Sequence, residues 1–459
     1  RGMSYHISID IGGTFTDLYM QDSDGNYSSH KVPTTSGQFT DGFVDAIEKA
    51  ADAEGLSAAG LLDRTDRIIH GTTIATNAII EDETSKTALL CTEGFRDVLL
   101  FREGGKQDPY NWDVDYPDPY VPRELTYEVP ERVSAEGEVV MELDEAKARG
   151  QIQALVEEGV DSVAVGLLWA HANPTHERRL ADLLEEVAPE IDYALSHQVN
   201  PIIREYRRLV STAIDASLIG PVGTYLSKLQ NRLAGFDYEG ELLIITANGG
   251  VMSPEEIRRR PIWSVDSGPT MLPVAANTVT EAELGAENVI ALDMGGTSAD
   301  IGIIDDGEIV EANVRETEIG GYPVMVPMID IETIGAGGGS IAHVDQAGAF
   351  RVGPKSAGAV PGPVSYGRGG TEPTVTDAHV ALGRIREEFF LGGEMTLDVD
   401  GATDAVADHL AEPLDMEPVA AALGVLDIVN SNMANAIRAK TVQKGRDPGT
   451  FTLVAFGGA

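Results

Sequence analysis

Apolar and polar positions alternate from Tyr5 to Ile11, and the alternation stops at Gly12-Gly13. A period of two predicts a half-buried strand. Residues 17–22 predict a second strand, and the "DSDGN" that follows predicts a turn. The same order returns far downstream: "NVIALD", a glycine pair, "DIGIID", then the turn "DDGE". Between these places helical and strand patterns take turns. "SGQFTDGFVDAIEKAADAEG" predicts a helix begun by Ser36 and closed by Gly55. "RIIHGTTIATNAIIE" predicts a strand, a turn and a helix. "LDEAKARGQIQALVEEG" predicts a helix followed by the strand "SVAVGLLWA", and "THERRLADLLEEV" a helix followed by the strand "IDYALS". A long helix is expected from about Pro201 to about Leu233, and then "ELLIITANGG", a strand entering another glycine turn. This βαβ rhythm predicts an α/β architecture with substantial sheets. The 459 residues exceed one ordinary core. The run "SHQVNP" ahead of the long helix sets the expected division into residues 4–195 and 196–459.

The two strand–turn–strand segments are copies. With Asp10 laid on Asp293, Asp10, Gly12, Gly13, Thr14 and Asp17 match Asp293, Gly295, Gly296, Thr297 and Asp300 at one constant offset. A single Gly-Gly turn would be an ordinary hairpin; two matched copies with five identities call for a shared task. The glycines permit close approach of backbone to a ligand. Hairpin tips present backbone N–H groups that can cradle phosphate oxygens. Thr14, Thr16, Thr297 and Ser298 are expected to offer hydroxyls, and Asp10 and Asp293 to hold Mg²⁺, directly or through water.

Charge changes the picture of the surface. The net charge is -41, with 33 basic residues of which 24 are Arg and 9 are Lys. A heavily acidic, lysine-poor chain suits concentrated salt, where counterions screen its self-repulsion. It points to a halophile's cytoplasmic enzyme; the alternative is an acidic mesophilic protein. It disfavours nucleic acid as a partner, since no basic face is available to release counterions. The single Cys91 ends the apolar run "TALLC" and excludes an intramolecular disulfide framework; it reads as a small buried hydrophobe. The richest apolar stretch, "VDSVAVGLLWAHA", is too short to cross a bilayer, so no membrane role is expected. Arg1-Gly2 read as additions ahead of Met3, and the ending "FTLVAFGGA" reads as a strand cut off at a glycine turn, as in a piece of a longer protein. The His residues show no zinc spacing.

Two further stretches carry chemistry. In "TIGAGGGSIA", Gly337, Gly338 and Gly339 could let the backbone close around a phosphate or an activated oxygen; the alternative is a flexible loop. In "HGTT", His70 could polarise a carbonyl or relay a proton; the alternative is a structural histidine after a strand. In "SYGRGGTEPTVTDA", Thr376-Asp377 either caps a helix or lines a site with Arg368 and Glu372.

Paired phosphate hairpins are the device of the actin, sugar-kinase and heat-shock-chaperone ATPases. That resemblance implies a duplicated actin-like ATPase fold, with ATP in a cleft between the two halves and a third turn against the adenosine. "VAFGGA", with Gly457 and Gly458, stands where the third turn belongs. The stretches "HGTTIATNAIIE", "TEGFRDVLLFRE", "HANPTHERR", "IREYRRLVSTAIDASL", "SVDSGPT", "IGAGGGSIA", "VGPKSAGAVPGPVSYGRGGTEPTVTDAHVALGR" and "RDPGTFTLVAFGGA" follow in order. Together they resemble the A component of the hydantoinase/oxoprolinase family, across residues 4–459. The resemblance implies ATP-dependent hydrolysis of a cyclic amide or imide through phosphorylation of the carbonyl oxygen. Asp10, Asp293 and His70 would be catalytic, ATP and Mg²⁺ the cofactors, and a B-type subunit the partner in a hetero-oligomer. Alternatives are a β-type subunit of a ketone carboxylase, a small-molecule kinase of the same fold, and an ATP-driven switch without a small substrate. The resemblance also implies a cysteine before Tyr366-Gly367-Arg368; Ser365 stands there, which removes any thiol chemistry at that place.

Overall fold

The structure is a computed structural model that describes residues 4–12, 15–33, 39–104, 110–111, 113, 117–388, 390 and 395–458. Gly13, Thr14 and the expected helix start Ser36 lie outside the described residues. The chain forms two compact units, Arg1–Gly268 with Ala312–Met328, and Pro269–Glu311 with Ile329–Ala459. The boundary expected at 195/196 falls inside the first unit, where Leu195 and Leu209 on its two sides share one core.

Two sheets build the first unit. In the first sheet, β1 (Tyr5–Ile11), β2 (Phe15–Asp22) and β3 (Tyr27–Pro33) form an antiparallel meander. Tyr5, Ile7, Ile9 and Ile11 enter the core while His6, Ser8 and Asp10 face outward, as the pleat requires. The turn after β2 forms because the Asp22 carboxylate accepts the N–H groups of Asp24 and Asn26, each at 2.9 Å. The next strand, β4 (Thr65–Thr72), lies parallel to β1.

The second sheet is wholly parallel, in the order β8-β7-β5-β6: β5 (Thr87–Thr92), β6 (Thr126–Val129), β7 (Ser162–Gly166) and β8 (Asp192–Leu195). Every residue of β5 and β7 is buried, as expected of strands covered on both faces. The first sheet is completed by β9 (Glu241–Ile245), parallel to β4, and β10 (Val251–Met252).

The helices follow the patterning. They include α1 (Phe39–Ala53), α2 (Ile74–Ile80), α3 (Val98–Phe101), α4 (Glu145–Glu158), α5 (Thr175–Val187), α6 (Ser196–Val199) and α7 (Glu205–Ala234). Asp144 caps α4 by accepting from Lys147 N–H at 3.0 Å, and Gly159, in the left-handed region at φ 68°, ends it. At 30 residues α7 is about 45 Å long. It has the length and apolarity of a membrane span, yet 72% of its most apolar window is buried inside the protein.

The second unit repeats the motif. Its sheet contains β11 (Val289–Met294), β12 (Ala299–Asp305), β13 (Glu308–Ile309), β14 (Glu332–Ile334) and, after α8 to α10 below, β17 (Thr452–Gly457). The order β13-β12-β11-β17, with β17 parallel to β11, reproduces β3-β2-β1-β4. Asp10 pairs with Asp17 in the first copy and Asp293 with Asp300 in the second. This α/β arrangement, two antiparallel hairpins each backed by a parallel strand, is the duplicated actin-like ATPase architecture. The rest of the unit comprises the hairpin β15 (Ser340–Val344) and β16 (Phe350–Ser356) with helices α9 (Val375–Ala381) and α10 (Pro418–Lys440); α8 (Ser267–Glu283) precedes β11.

Candidate functional site

Each unit holds its own aspartate beside a glycine of the neighbouring parallel strand. In the first, Asp10 leaves β1 on the outward face and pairs in register with Gly71 of β4. A β-carbon at Gly71 would stand 2.7 Å from Asp10 Oδ1. Gly71 therefore keeps open the space the carboxylate uses. Gly268 lies on another side, where a β-carbon would be 3.8 Å from the same oxygen. The segment bearing Gly268 is pinned to the "HGTT" turn: Ser267 Oγ donates to the Thr72 carbonyl at 3.2 Å. Thr76 Oγ1 donates to Asp266 Oδ1 at 3.1 Å and accepts from Asp266 N–H at 2.9 Å. Asp266 sits in the left-handed region at φ 52°, and burial pushes its carboxyl above the usual carboxylate range. The structure thus brings Asp10, Gly12, Gly71, Thr72, Asp266, Ser267 and Gly268 to one place.

The second copy repeats the relation. A β-carbon at Gly457 would stand 2.7 Å from Asp293 Oδ1 and against the Met294 carbonyl, and Gly457 has φ 101°. Only glycine fits there. Of the two glycines expected at the adenosine, Gly457 ends β17, the strand beside Asp293, and Gly458 follows it.

The glycine-rich loop acts on this turn from behind. Gly338 N–H donates to the Gly295 carbonyl at 3.0 Å, and Gly339 N–H to the Gly296 carbonyl at 2.6 Å. A β-carbon at Gly337 would meet the Thr297 backbone at 2.6 Å. Gly337, Gly338 and Gly339 are buried, so the expectation that they close around a phosphate is corrected: two of their N–H groups are already committed to the turn. A trans peptide sets C=O and N–H on opposite sides. Turning the carbonyls of Gly295 and Gly296 inward therefore aims the N–H groups of Gly296 and Thr297 outward, and both residues are exposed. Ser298 is half-buried and its carbonyl accepts Gly295 N–H at 2.9 Å, which closes the turn.

Two further expectations are corrected. Thr16 is 0% exposed. It shares the inward face of β2 with Leu18 and Met20 and pairs with buried Ile11, so its hydroxyl does not face a ligand above the turn. His70 is 0% exposed, with Nδ1 3.1 Å from the Ile9 carbonyl and Nε2 2.7 Å from Tyr225 Oη. Its ring lies edge-on to Phe43, and burial pushes its pKa down to about 4. With both nitrogens engaged in the core, His70 is a structural neutral imidazole and not the catalytic group expected.

Asp377 likewise serves structure. It completes a capping box with Thr374 at the start of α9 and accepts the N–H groups of Val364 and Ser365 at 3.1 and 2.8 Å. Thr376 donates to the Gly338 carbonyl at 2.9 Å, bracing the glycine loop. Arg368 is exposed, and Glu372 pairs with Lys355 at 3.4 Å. Burial pushes the Cys91 thiol up to about 12, so it is no nucleophile. Among the described residues no group of three or more His, Cys, Asp or Glu side chains is gathered for a metal ion.

Sequence reasoning named "DSGP" without a role; the structure sets it beside Asp10. It passed over Gly71, for which the register of "HGTT" against β1 was the available signal. It also passed over Thr333, whose Oγ1 donates to Asp300 Oδ1 at 2.6 Å across β14 and β12.

Residues 208–459 match the hydantoinase/oxoprolinase family and residues 6–188 its N-terminal region. The chain is 38% identical over 457 residues to the caprolactamase subunit alpha of Pseudomonas jessenii, covering 99% of this chain and 65% of that subunit. It is 36% identical to the acetophenone carboxylase gamma subunit of Aromatoleum aromaticum, covering 99% of this chain and 63% of that one. The chain thus spans just under two thirds of the length of these relatives. The crystal structure of the ATP-dependent caprolactamase from Pseudomonas jessenii superposes with a TM-score of 0.86, over 99% of this chain and 66% of that one. A nucleotide-free acetone carboxylase superposes at 0.80 with 27% identity, over 99% of this chain and 65% of that one. With both family regions matched and an aspartate held beside a glycine of the parallel strand in both units, the chain belongs to the hydantoinase/oxoprolinase family.

Proposed function

We propose that this chain is the ATP-handling component of a cyclic-amide hydrolase. The observation that carries the reading is duplicated: in each unit a strand-end carboxylate stands in a space kept clear by glycine, and in the second unit the turn beside it aims backbone N–H groups outward. An amide carbonyl is a poor electrophile because nitrogen donates into it. Phosphorylating its oxygen removes that donation and creates a leaving group, so ATP hydrolysis can drive the opening of a ring that resists water. The protein's task is to align the reacting groups and to stabilise the charge that develops, by fixed N–H groups more than by covalent chemistry.

Asp10 and Asp293 would hold Mg²⁺. Such a site needs only one or two carboxylates, the phosphates and water supplying the rest, and the cleared space beside each aspartate fits that requirement. When bound, the ion neutralises charge on the transferring phosphoryl group. Outward N–H groups at Gly296 and Thr297 would donate hydrogen bonds to phosphate oxygens. The relatives named above are subunits of larger enzymes, which supports a partner subunit, of the B type, completing hydrolysis of the activated species.

A second reading is ATP-dependent carboxylation of a ketone, favoured by the likeness to acetone carboxylase and to the acetophenone carboxylase subunit. The test is phosphate release by the full-length protein with its partner subunit, on caprolactam, hydantoins, 5-oxoproline and ketones, with and without bicarbonate. Stimulation by a cyclic amide without bicarbonate supports the hydrolase. Bicarbonate-dependent stimulation by a ketone supports the carboxylase. A stable phosphorylated product would identify a kinase, and phosphate release indifferent to every substrate would overturn all three.

A further inference from the structure

The second sheet of the first unit has features that the ATP chemistry does not use. From β5 the chain passes to β6 on one side, and from β7 to β8 on the other. The winding direction therefore reverses between β5 and β7. In open parallel sheets such a reversal leaves a crevice at the carboxyl ends of the strands, and ligands bind there. Three segments border this edge: the one from β5 through α3 to Arg102, the turn after β7, and the one from β8 through α6 to Arg204.

Backbone strain is concentrated on those segments. Eight described non-glycine residues have positive φ. Five are aspartates, which tolerate that region. The other three are Arg102 at 53°, Trp169 at 57° and Arg204 at 79°, and each lies on one of the three segments. Strain in bulky residues persists where the surroundings hold it, and it clusters at ligand clamps.

Arginines gather at the same edge. Glu103 receives Arg207 as a fork, Nε to Oε1 at 2.9 Å and Nη2 to Oε2 at 3.0 Å. Arg207, then Arg204 and Arg315, hold the Glu103 carboxyl below its usual range. Arg102 adds a fourth guanidinium. Its carbon stands 5.7 Å from the ring centre of Tyr322 and 6.0 Å from that of Tyr206. Aromatic stacking engages the face of a guanidinium and leaves the in-plane donors to other partners. Arg102 Nε and Nη2 are buried with no hydrogen-bond partner, although buried donors are seldom left unpaired. The residue as a whole is half-buried. Against Arg102, Arg204, Arg207 and Arg315 stand Glu103, which Arg207 already holds, and Asp82 and Asp118 beside Tyr322, so the arginines outnumber the carboxylates here in a chain of net charge -41.

We propose that this edge binds an oxyanion, the carboxylate or phosphate of a small ligand, with Arg102 as the fork that receives it and Tyr206 and Tyr322 as its walls. Planar paired donors are the chemistry that recognises such groups.

The test is calorimetric titration of the chain with inorganic phosphate and, separately, with acetate at constant KCl. One of the two should bind saturably. Its affinity should fall at least about tenfold in Arg102→Met and in Arg102→Lys, since lysine keeps the charge but not the fork. Arg259→Met, at an exposed ion pair on another helix, should leave it unchanged. Preference for phosphate identifies a phosphoryl ligand, and preference for acetate a carboxylate. Circular dichroism checks the fold. Should Arg102→Met fail to fold, Arg102→Lys and Tyr322→Leu carry the test with the same expected loss. No saturable binding to the wild type, binding within twofold of it in the folded Arg102 variants, or an equal loss in Arg259→Met would each overturn the proposal.

Discussion

Gly71→Ala adds a single methyl group to a buried strand position. The backbone of β4 accepts alanine without strain, since Gly71 is not among the residues with positive φ. The new carbon would stand 2.7 Å from Asp10 Oδ1, whereas ordinary carbon–oxygen contacts begin near ~3.3 Å. The carboxylate must therefore retreat by roughly 0.6 Å. A displacement of about 1 Å in a catalytic constellation can lower a rate by about a hundredfold, so a loss of about tenfold or more in substrate-stimulated phosphate release is expected, equivalent to ~1.4 kcal/mol or more of transition-state stabilisation. Overpacking should lower stability by about 1–3 kcal/mol, leaving a folded protein. A double-mutant cycle makes the reasoning specific. In an Asp10→Ala background the oxygen is gone, so Gly71→Ala should lower the rate no further, because coupled neighbours are not additive. Turnover within twofold of wild type in Gly71→Ala, or equal losses in both backgrounds, would refute the idea that this glycine acts through Asp10.

Four other outcomes are expected. Asp10→Asn and Asp293→Asn should each keep the fold and lose on the order of a hundredfold in phosphate release. The losses should be comparable, because the hydroxyl that would have favoured the first copy, that of Thr16, faces the core; near wild-type rates in both would mean the aspartates only cap turns. Asp215 is fully buried on α7, accepts Ile262 N–H at 3.0 Å through Oδ1, leaves Oδ2 unpartnered, and is pushed by burial from 3.8 up to about 7. The folded state therefore holds this proton more tightly than the unfolded chain, and stability falls as pH rises from about 4 to about 7. Asp215→Asn should raise the melting temperature at pH 8, with stability higher by up to roughly 4 kcal/mol, and the gap should narrow as pH falls and close by about pH 4; an equal shift at pH 8 and pH 4 would contradict this. Ser365 Oγ is buried without a partner, so Ser365→Ala should be neutral or stabilising by about 1 kcal/mol, and a drop of several degrees in melting temperature would count against it. With a net charge of -41, melting temperature should climb with added KCl as screening takes hold; a flat response up to molar salt would dismiss the halophile reading.

The parts of the fold set by local rules were legible in the sequence. Alternation marked β1, the glycine pair marked its end, and the helical period placed α7 within a few residues of its observed start at Glu205. Thr16 could have been placed as well: it lies two residues before Leu18 and four before Met20, so the pleat sets it on their side of the sheet. Other features depended on partners distant in sequence. Nothing near His70 announces Tyr225, 155 residues away, which closes its second nitrogen into the core. Nothing in "GAGGG" shows that its N–H groups are consumed by the Gly295 and Gly296 carbonyls. The return of residues 312–328 to the first unit leaves no trace in periodicity, because a segment's own pattern does not say which core receives it.

The inward-turned carbonyls of Gly295 and Gly296 have a consequence for mutagenesis. A surface built from main-chain N–H groups has no side chain to delete, so an alanine scan of this turn would pass over it and report the neighbouring hydroxyls instead. Its contribution becomes visible only when the main chain itself is altered. Proline at position 297 would erase one donor, and an ester in place of the amide between Gly296 and Thr297 would erase it while sparing the shape. Natural variation is screened in the same way: any residue that the turn geometry tolerates at these positions presents the same N–H, and the sequence here can drift while the chemistry stays in place.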